Sequence, residues 1–433
     1  MLRSKYLHFA RLMRNEKRSP AEIRRIQSAK LRRLVHHAYE NVPFYRERLR
    51  AAGARPEDVR SADDLRVLPI VDKTDFHAAA PEALRDRRIA RTAGLLARNT
   101  SGTGGFPLRF FIDRDYDQFR KAQFLRPYMT NGRRFIDRVA RFQVLPPAAG
   151  PWFQKLGLLR ERSIPSDWEL GAQIRALIEI RPSVVIGYPS VLSLVASRAL
   201  EDDIRLPTPR LVFTDSELLS MPNRAKIERA FRSEVFDVYG SFETDNIAYE
   251  CGNHCGYHIA EDCAVVEFIR NGRPAAPGEE GEIVCTVLDN FTMPFIRYNL
   301  HDIGAPSGEL CSCGRPFRMM KMVGGRMYDY VVKEDGTKIS STTLLRHIWP
   351  IVEHMHEFQI IQEEVGRFRV AVVPGRTFSD ATERRIRESF GADFPGARVR
   401  VERVERIDRE RSGKLREFVS MVNRRRPLPG DQV

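Results

Sequence analysis

The run VVIGYPSVLSLVASRAL, Val184 to Leu200, decides the fold class. A short β-branched stretch passes through Gly187 and Pro189 into apolar residues at helical spacing, which reads as strand then helix. Outward from it the same alternation recurs in VARFQVL (139–145), RLVFTD (210–215) and VFDVYG (235–240), from about residue 90 to about residue 305. Strands alternating with helices mark an α/β domain, with layered β-sheets and flanking helices. After GGRMYDY (324–330) the pattern changes. DYVVKEDGTKIS (329–340) reads as a hairpin around Asp335-Gly336, and TTLLRHIWPIV (342–352) as a helix, with strand, helix and strand elements beyond it. That is a small α+β domain. The expected division is a large domain over 1–326, beginning with a basic helical segment over 1–60, and a small C-terminal domain over 327–433.

Of 433 residues, 42% are hydrophobic and 30% charged, a balance that suits a globular chain with a large buried core. No apolar run approaches the roughly 20 residues that span a bilayer, and the N-terminus has no apolar block ahead of a small-residue cleavage site. A cytoplasmic protein without a transmembrane segment is expected. The net charge of +14 is uneven, with 14 Lys/Arg against 4 Asp/Glu in residues 1–50. There Leu2, Tyr6, Phe9 and Met13 recur at helical spacing. We read them as a stripe packing on the body, not as a nucleic-acid or membrane helix, because no aromatic and basic interleaving continues along the chain. No nucleic-acid partner is expected.

NTSGTGGFPLRF (99–110) concentrates glycines and hydroxyls ahead of an alternating strand. Bare backbone lets N–H groups approach an anionic oxygen, so phosphate is the first candidate ligand, although the P-loop pattern G-x-x-x-x-G-K-[ST] is absent. CGNHCGYH (251–258) and CSCGR (311–315) gather cysteines and histidines. In a cytosolic chain such a cluster reads better as a tetrahedral zinc site than as disulfides. Cys263 and Cys285, in apolar contexts, read as core.

In this order the pieces resemble the adenylate-forming, acyl-CoA synthetase-like ligase superfamily, in its phenylacetate-CoA ligase and capsule-biosynthesis-ligase-like branch. The likeness runs from AYENVPFYRERLRAAG (38–53) and LPIVDKTDF (68–76), through TSGTGGFP (100–107), IGYPSVLSLVA (186–196), VYGSFET (238–244), RYNLHDIG (297–304) and GGRMYD (324–329), to RERSGKLREFV (409–419). Three positions depart from the family pattern. Gly104 and Phe106 replace a threonine and a lysine of the phosphate loop, and Tyr328 replaces an aspartate at the hinge.

The resemblance implies an ATP-dependent, AMP-forming ligase. A carboxylic acid and ATP give an acyl-adenylate, and the acyl group then passes to coenzyme A, or in related enzymes to an amine, a sugar or a carrier protein. The substrate would be a small carboxylic acid, with an aromatic one among the candidates. By the same resemblance Ser101, Gly102, Thr103 and Gly104 cradle the phosphates, and Glu243 holds Mg²⁺. Tyr239 with Gly240 lies against the adenine, and TDSEL (214–218), with Ser216 and Glu217, forms the opposite wall. Asp302 accepts from the ribose hydroxyls, while Arg326 contacts ribose or α-phosphate at the end of the large domain. Lys414, with Glu243 and Thr103, is catalytic, and it sits on a small domain that is mobile about the hinge. Cys251, His258, Cys311 and Cys313 are the implied zinc ligands, with Cys255 as the alternative.

Overall fold

The computed structural model describes residues 2–89, 94–100, 107–144, 154, 157–326, 330–391, 394–409 and 413–422. The chain forms two compact units, residues 1–132 with 238–323 and residues 133–237 with 324–433.

In the first unit the helices Leu2–Asn15, Pro20–Asn41, Pro43–Ala51, Lys73–Ala78 and Arg114–Thr130 accompany an antiparallel sheet. Ser19 starts the second helix with a full capping box to Glu22, and Val42, ahead of Pro43, separates it from the third. In the N-terminal helix Leu12 and Asn15 are buried, Phe9 and Met13 half-buried and Tyr6 half exposed, so the Tyr6–Phe9–Met13 part of the stripe read from the sequence packs on the body only in part. Polar anchors lie beside it. Asn15 donates to Asp262 at 2.7 Å, and Glu16 accepts from Arg126 and Arg315 at 2.5 and 3.2 Å. The sheet runs in the order 273–274, 264–270, 281–287, 298–306, 319–326, 257–259, 245–250 and 235–241.

In the second unit the strands 211–215, 184–187, 139–143 and 161–165 lie side by side and parallel. With both faces of such a sheet covered, its strands read as near-continuous apolar runs, which is how VVIG and LVFTD look in the sequence. Leu177, Val185, Leu192, Val212, Ile227 and Phe231 form the core of this lobe beneath the helices Leu170–Ile180, Pro189–Glu201 and Met221–Phe231. Residues 355–364, 367–374, 398–403 and 418–420 form a separate four-stranded sheet, whose core joins Phe358, Val370, Phe368 and Phe390 to Leu344 and Ile348. The expected hairpin is present, pairing Tyr330–Val332 with Lys338–Ser340 around Asp335-Gly336. Among the described residues no helix is long and apolar enough to cross a membrane.

Candidate active site

The strand Val235–Ser241 ends at the VYGSFET motif and turns directly into Asp245–Glu250. A bulge falls between Tyr239 and Gly240, and a Cβ on Gly240 would lie 2.0 Å from the Asp245 carbonyl oxygen. Only glycine permits that approach. The RYNLHDIG motif lies on the strand Tyr298–Pro306 and its approach, with His301 in the left-handed region at φ 57°. Two hydrogen bonds bring the motifs together. Tyr239 Oη donates to Asp302 Oδ2 at 2.8 Å, and Tyr298 Oη reaches Glu243 Oε1 at 3.5 Å. Tyr239, Glu243, Tyr298 and Asp302, drawn from the two motifs, therefore lie together.

Ser101, Gly102, Thr103 and Gly104 lie outside the described residues. The frame of the glycine loop is described. Leu96–Asn99 pairs antiparallel with Arg109–Ile112, Thr100 N donates to Leu108 O at 3.0 Å, and Leu108 N donates to Thr100 Oγ1 at 2.9 Å. Thr100 and Leu108 are thus tied to one another beside the strand pair. Arg326 ends the strand Met319–Arg326.

Ser216, Glu217 and Lys414 belong to the second unit. Ser216 sits at φ 71° just after the strand Leu211–Asp215. Glu217 turns toward the first turn of the helix Pro189–Glu201 and accepts from Ser190 N at 2.9 Å and Ser190 Oγ at 3.0 Å. It also accepts from Leu415 N at 2.9 Å, the amide next to Lys414. Burial pushes the Glu217 carboxyl up from its ordinary range. Around it lies a cluster that the sequence reading does not single out: Arg409, Glu357, Lys226 and Glu417. Burial, then the charge of Glu217, pushes Glu417 up to about 7, and burial, then Arg229, brings Lys226 down to about 8. Ser190 and Arg409 lie inside quoted motifs, but no local spacing links them to Glu217, so the sequence carries no signal for the contact.

The cysteine cluster closes within the first unit. The ligand atoms of Cys251, His258, Cys311 and Cys313 all lie within 4.8 Å of one another. Cys251 Sγ is 3.6 Å from Cys311 Sγ, and Cys313 Sγ is 3.3 Å from His258 Nε2. A tetrahedron with Zn–S bonds of about 2.3 Å has S···S edges of about 3.8 Å, so the donor set fits zinc in identity and size. Cys255 Sγ, at 3.4 Å from Cys311 Sγ, borders the group. Burial raises the Cys311 thiol, but the Cys313 amide and the neighbouring thiols outweigh it and bring it down to about 7, closer to the thiolate a metal needs. Cys263 and Cys285 are both buried, but Cys263 lies beside Asp262 and Arg126, a charged setting that its apolar sequence neighbours do not announce.

A family model described as the CapK C-terminal domain matches residues 331–421. The phenylacetate-coenzyme A ligase of Escherichia coli (strain K12) is 28% identical over 331 residues, covering 73% of this chain and 74% of that protein. The phenylacetate-coenzyme A ligase of Thermus thermophilus is 25% identical over 359 residues, covering 80% and 79%. Protein CapK of Staphylococcus aureus is 22% identical over 366 residues, covering 80% and 78%. Among solved structures, 2-hydroxyisobutyryl-CoA ligase in its postadenylation state with 2-HIB-AMP superposes with a TM-score of 0.78 at 22% identity, over 94% of this chain and 91% of that one. At that identity the likeness is one of fold.

Proposed function

We propose, from the premise that the chain belongs to the adenylate-forming ligases on their phenylacetate-CoA ligase and CapK branch, that it activates a small carboxylic acid with ATP and passes the acyl group to coenzyme A. The observation that carries this reading is the meeting of Tyr239, Glu243, Tyr298 and Asp302 through two hydrogen bonds. It supports a nucleotide site of the kind the first step needs.

In that step a carboxylate oxygen attacks the α-phosphorus, the bond to the β-phosphate oxygen breaks, and pyrophosphate leaves. Two anions must meet, so donors and cations already in place lower the barrier more than any covalent assistance would. Ser101, Gly102, Thr103 and Gly104 would hold the β- and γ-phosphates by backbone N–H groups and hydroxyls. Gly104 and Phe106 leave this loop one hydroxyl and one cation short of the commonest pattern. Asp302, oriented by Tyr239, would accept the ribose hydroxyls. Lys414 would bridge carboxylate and α-phosphate as an ammonium on a flexible stem, and Arg326 would add a charge at ribose or α-phosphate. Glu243 would hold Mg²⁺, which takes few protein oxygens and offsets phosphate charge. In the second step the thiol sulfur attacks the acyl carbon, the carbon–oxygen bond breaks, and AMP departs with that oxygen.

Cys251, His258, Cys311 and Cys313 would hold a structural zinc ion. With no position left open, that site would contribute folding energy and not chemistry. None of the six cysteines is paired in a disulfide, which supports work in the reducing cytoplasm. The phenylacetate-CoA ligase relatives support an aromatic acid. The test is acid-dependent exchange of labelled pyrophosphate into ATP over a library of carboxylates, followed by AMP release with and without coenzyme A. Exchange with an aromatic acid, and AMP released in proportion to coenzyme A, is the expected result. Exchange without coenzyme A-dependent AMP would move the acceptor to an amine, a sugar or a carrier protein, and release of ADP would overturn the reading.

A further inference from the structure

The backbone on both sides of Lys414 is held, by Arg409 from earlier in the same connection and by Glu217 from outside it. On the near side, Arg409 Nη1 donates to the Gly413 carbonyl at 3.2 Å. On the far side, the Leu415 amide donates to Glu217 Oε1 at 2.9 Å. The two holds share one hinge atom, because Ser190 Oγ donates to Glu217 Oε1 at 3.0 Å and accepts from Arg409 Nη1 at 2.8 Å. Arg409 is fixed in turn by Glu357, with which it makes an ion pair. Gly413 completes the seat. Its φ is 79°, and a Cβ there would fall 2.4 Å from Val144 Cγ2, with Tyr188 and Ser166 behind. A side chain would unseat the segment.

Glu217 is well suited to anchor this arrangement. The helix Pro189–Glu201 has no side-chain cap from Tyr188, and the Glu217 carboxylate instead accepts from its second-residue amide, where the positive end of the helix dipole favours an anion. Bound there, its second face is presented to the Leu415 amide.

We infer that Glu217, with Ser190 and Arg409, is a positioning residue that clamps residues 413–415 and so sets where Lys414 stands during adenylation. The inference rests on the ligase reading above and departs from it at one point: Glu217 acts through the Lys414 loop and not as a wall for adenine. A clamp on the loop serves the step that uses Lys414 and is idle in the thioester step.

Both half-reactions test this in four proteins: wild type, Glu217→Ala, Lys414→Ala and the double variant. Glu217→Ala is expected to lower the rate of acyl-adenylate formation by roughly 10²-fold, the size of effect that about 1 Å of misplacement produces, with KM for ATP nearly unchanged. Thioester formation from supplied acyl-adenylate is expected to stay near wild type. In the Lys414→Ala background the Glu217 change is expected to add nothing, since residues acting through one another are non-additive. Ser190→Ala, which removes one hydroxyl and keeps the helix amide, is expected to give the same split at smaller size and guards against misfolding of the Glu217 variant. A further loss from Glu217→Ala in the Lys414→Ala background, a raised KM for ATP, or equal losses in both half-reactions would overturn the clamp. So would wild-type rates in Glu217→Ala when the wild type itself forms adenylate. A wild type that forms no adenylate overturns the ligase reading and the clamp with it.

Discussion

Asp302 illustrates how a single side chain is prepared for its work. In the role proposed for Asp302, a carboxylate that accepts two ribose hydroxyls has to be held in plane before the nucleotide arrives, and the Tyr239 hydroxyl at 2.8 Å would supply that hold from another motif. Asp302→Ala should raise the KM for ATP and lower turnover by roughly 10²-fold, because adenosine is no longer in register with the reacting phosphate. Glu243→Gln should instead shift the magnesium concentration for half-maximal rate upward, with less effect on nucleotide affinity. Pyrophosphate exchange titrated with ATP and with Mg²⁺ checks both, and wild-type curves for both variants would contradict these roles. Asp302 and Glu243 were legible in the sequence, because each sits in a short motif with a family likeness. The Tyr239 and Tyr298 hydroxyl bonds were not, since no spacing within either motif says which side chain of the other it meets.

At the scale of elements, the cysteine cluster joins the connection between the strands 245–250 and 257–259 to the loop that precedes the strand Met319–Arg326. Cys251, Cys311 and Met319 form a small buried group there. A metal bond is the natural means of holding the two segments. We expect about one equivalent of zinc in purified protein, lost with a clear fall in melting temperature when Cys311 and Cys313 are both changed to serine, because hydroxyls bind zinc far more weakly than thiolates. Metal-free wild-type protein with an unchanged melting temperature would contradict it. The cluster was visible in the sequence as cysteine spacing, and its gathering in space agrees with the four ligands implied there. The N-terminal helix went the other way. Its helical period was legible, but the inward turn of Asn15, and of Glu16 just beyond it, was not, because their partners Asp262, Arg126 and Arg315 are not registered by a pattern of apolar residues.

At the scale of the molecule, the order of motifs along the chain was enough to anticipate an α/β ligase fold, with VYGSFET at the end of one strand and RYNLHDIG running onto another. What distant segments do to one another was hidden. Glu217 and Leu415 are separated by 198 residues, and only the folded chain shows the carboxylate against the amide. The account as a whole stands on the claim that a carboxylate oxygen attacks the α-phosphorus of ATP and that the same oxygen leaves with AMP. The most direct measurement uses an acid found by pyrophosphate exchange, labelled with ¹⁸O in its carboxylate and incubated with ATP, Mg²⁺ and coenzyme A, with mass spectrometry of the nucleotide products. The account predicts one ¹⁸O atom in AMP for each thioester formed. Label in inorganic phosphate with ADP as the nucleotide, or thioester formed with unlabelled AMP, would contradict it.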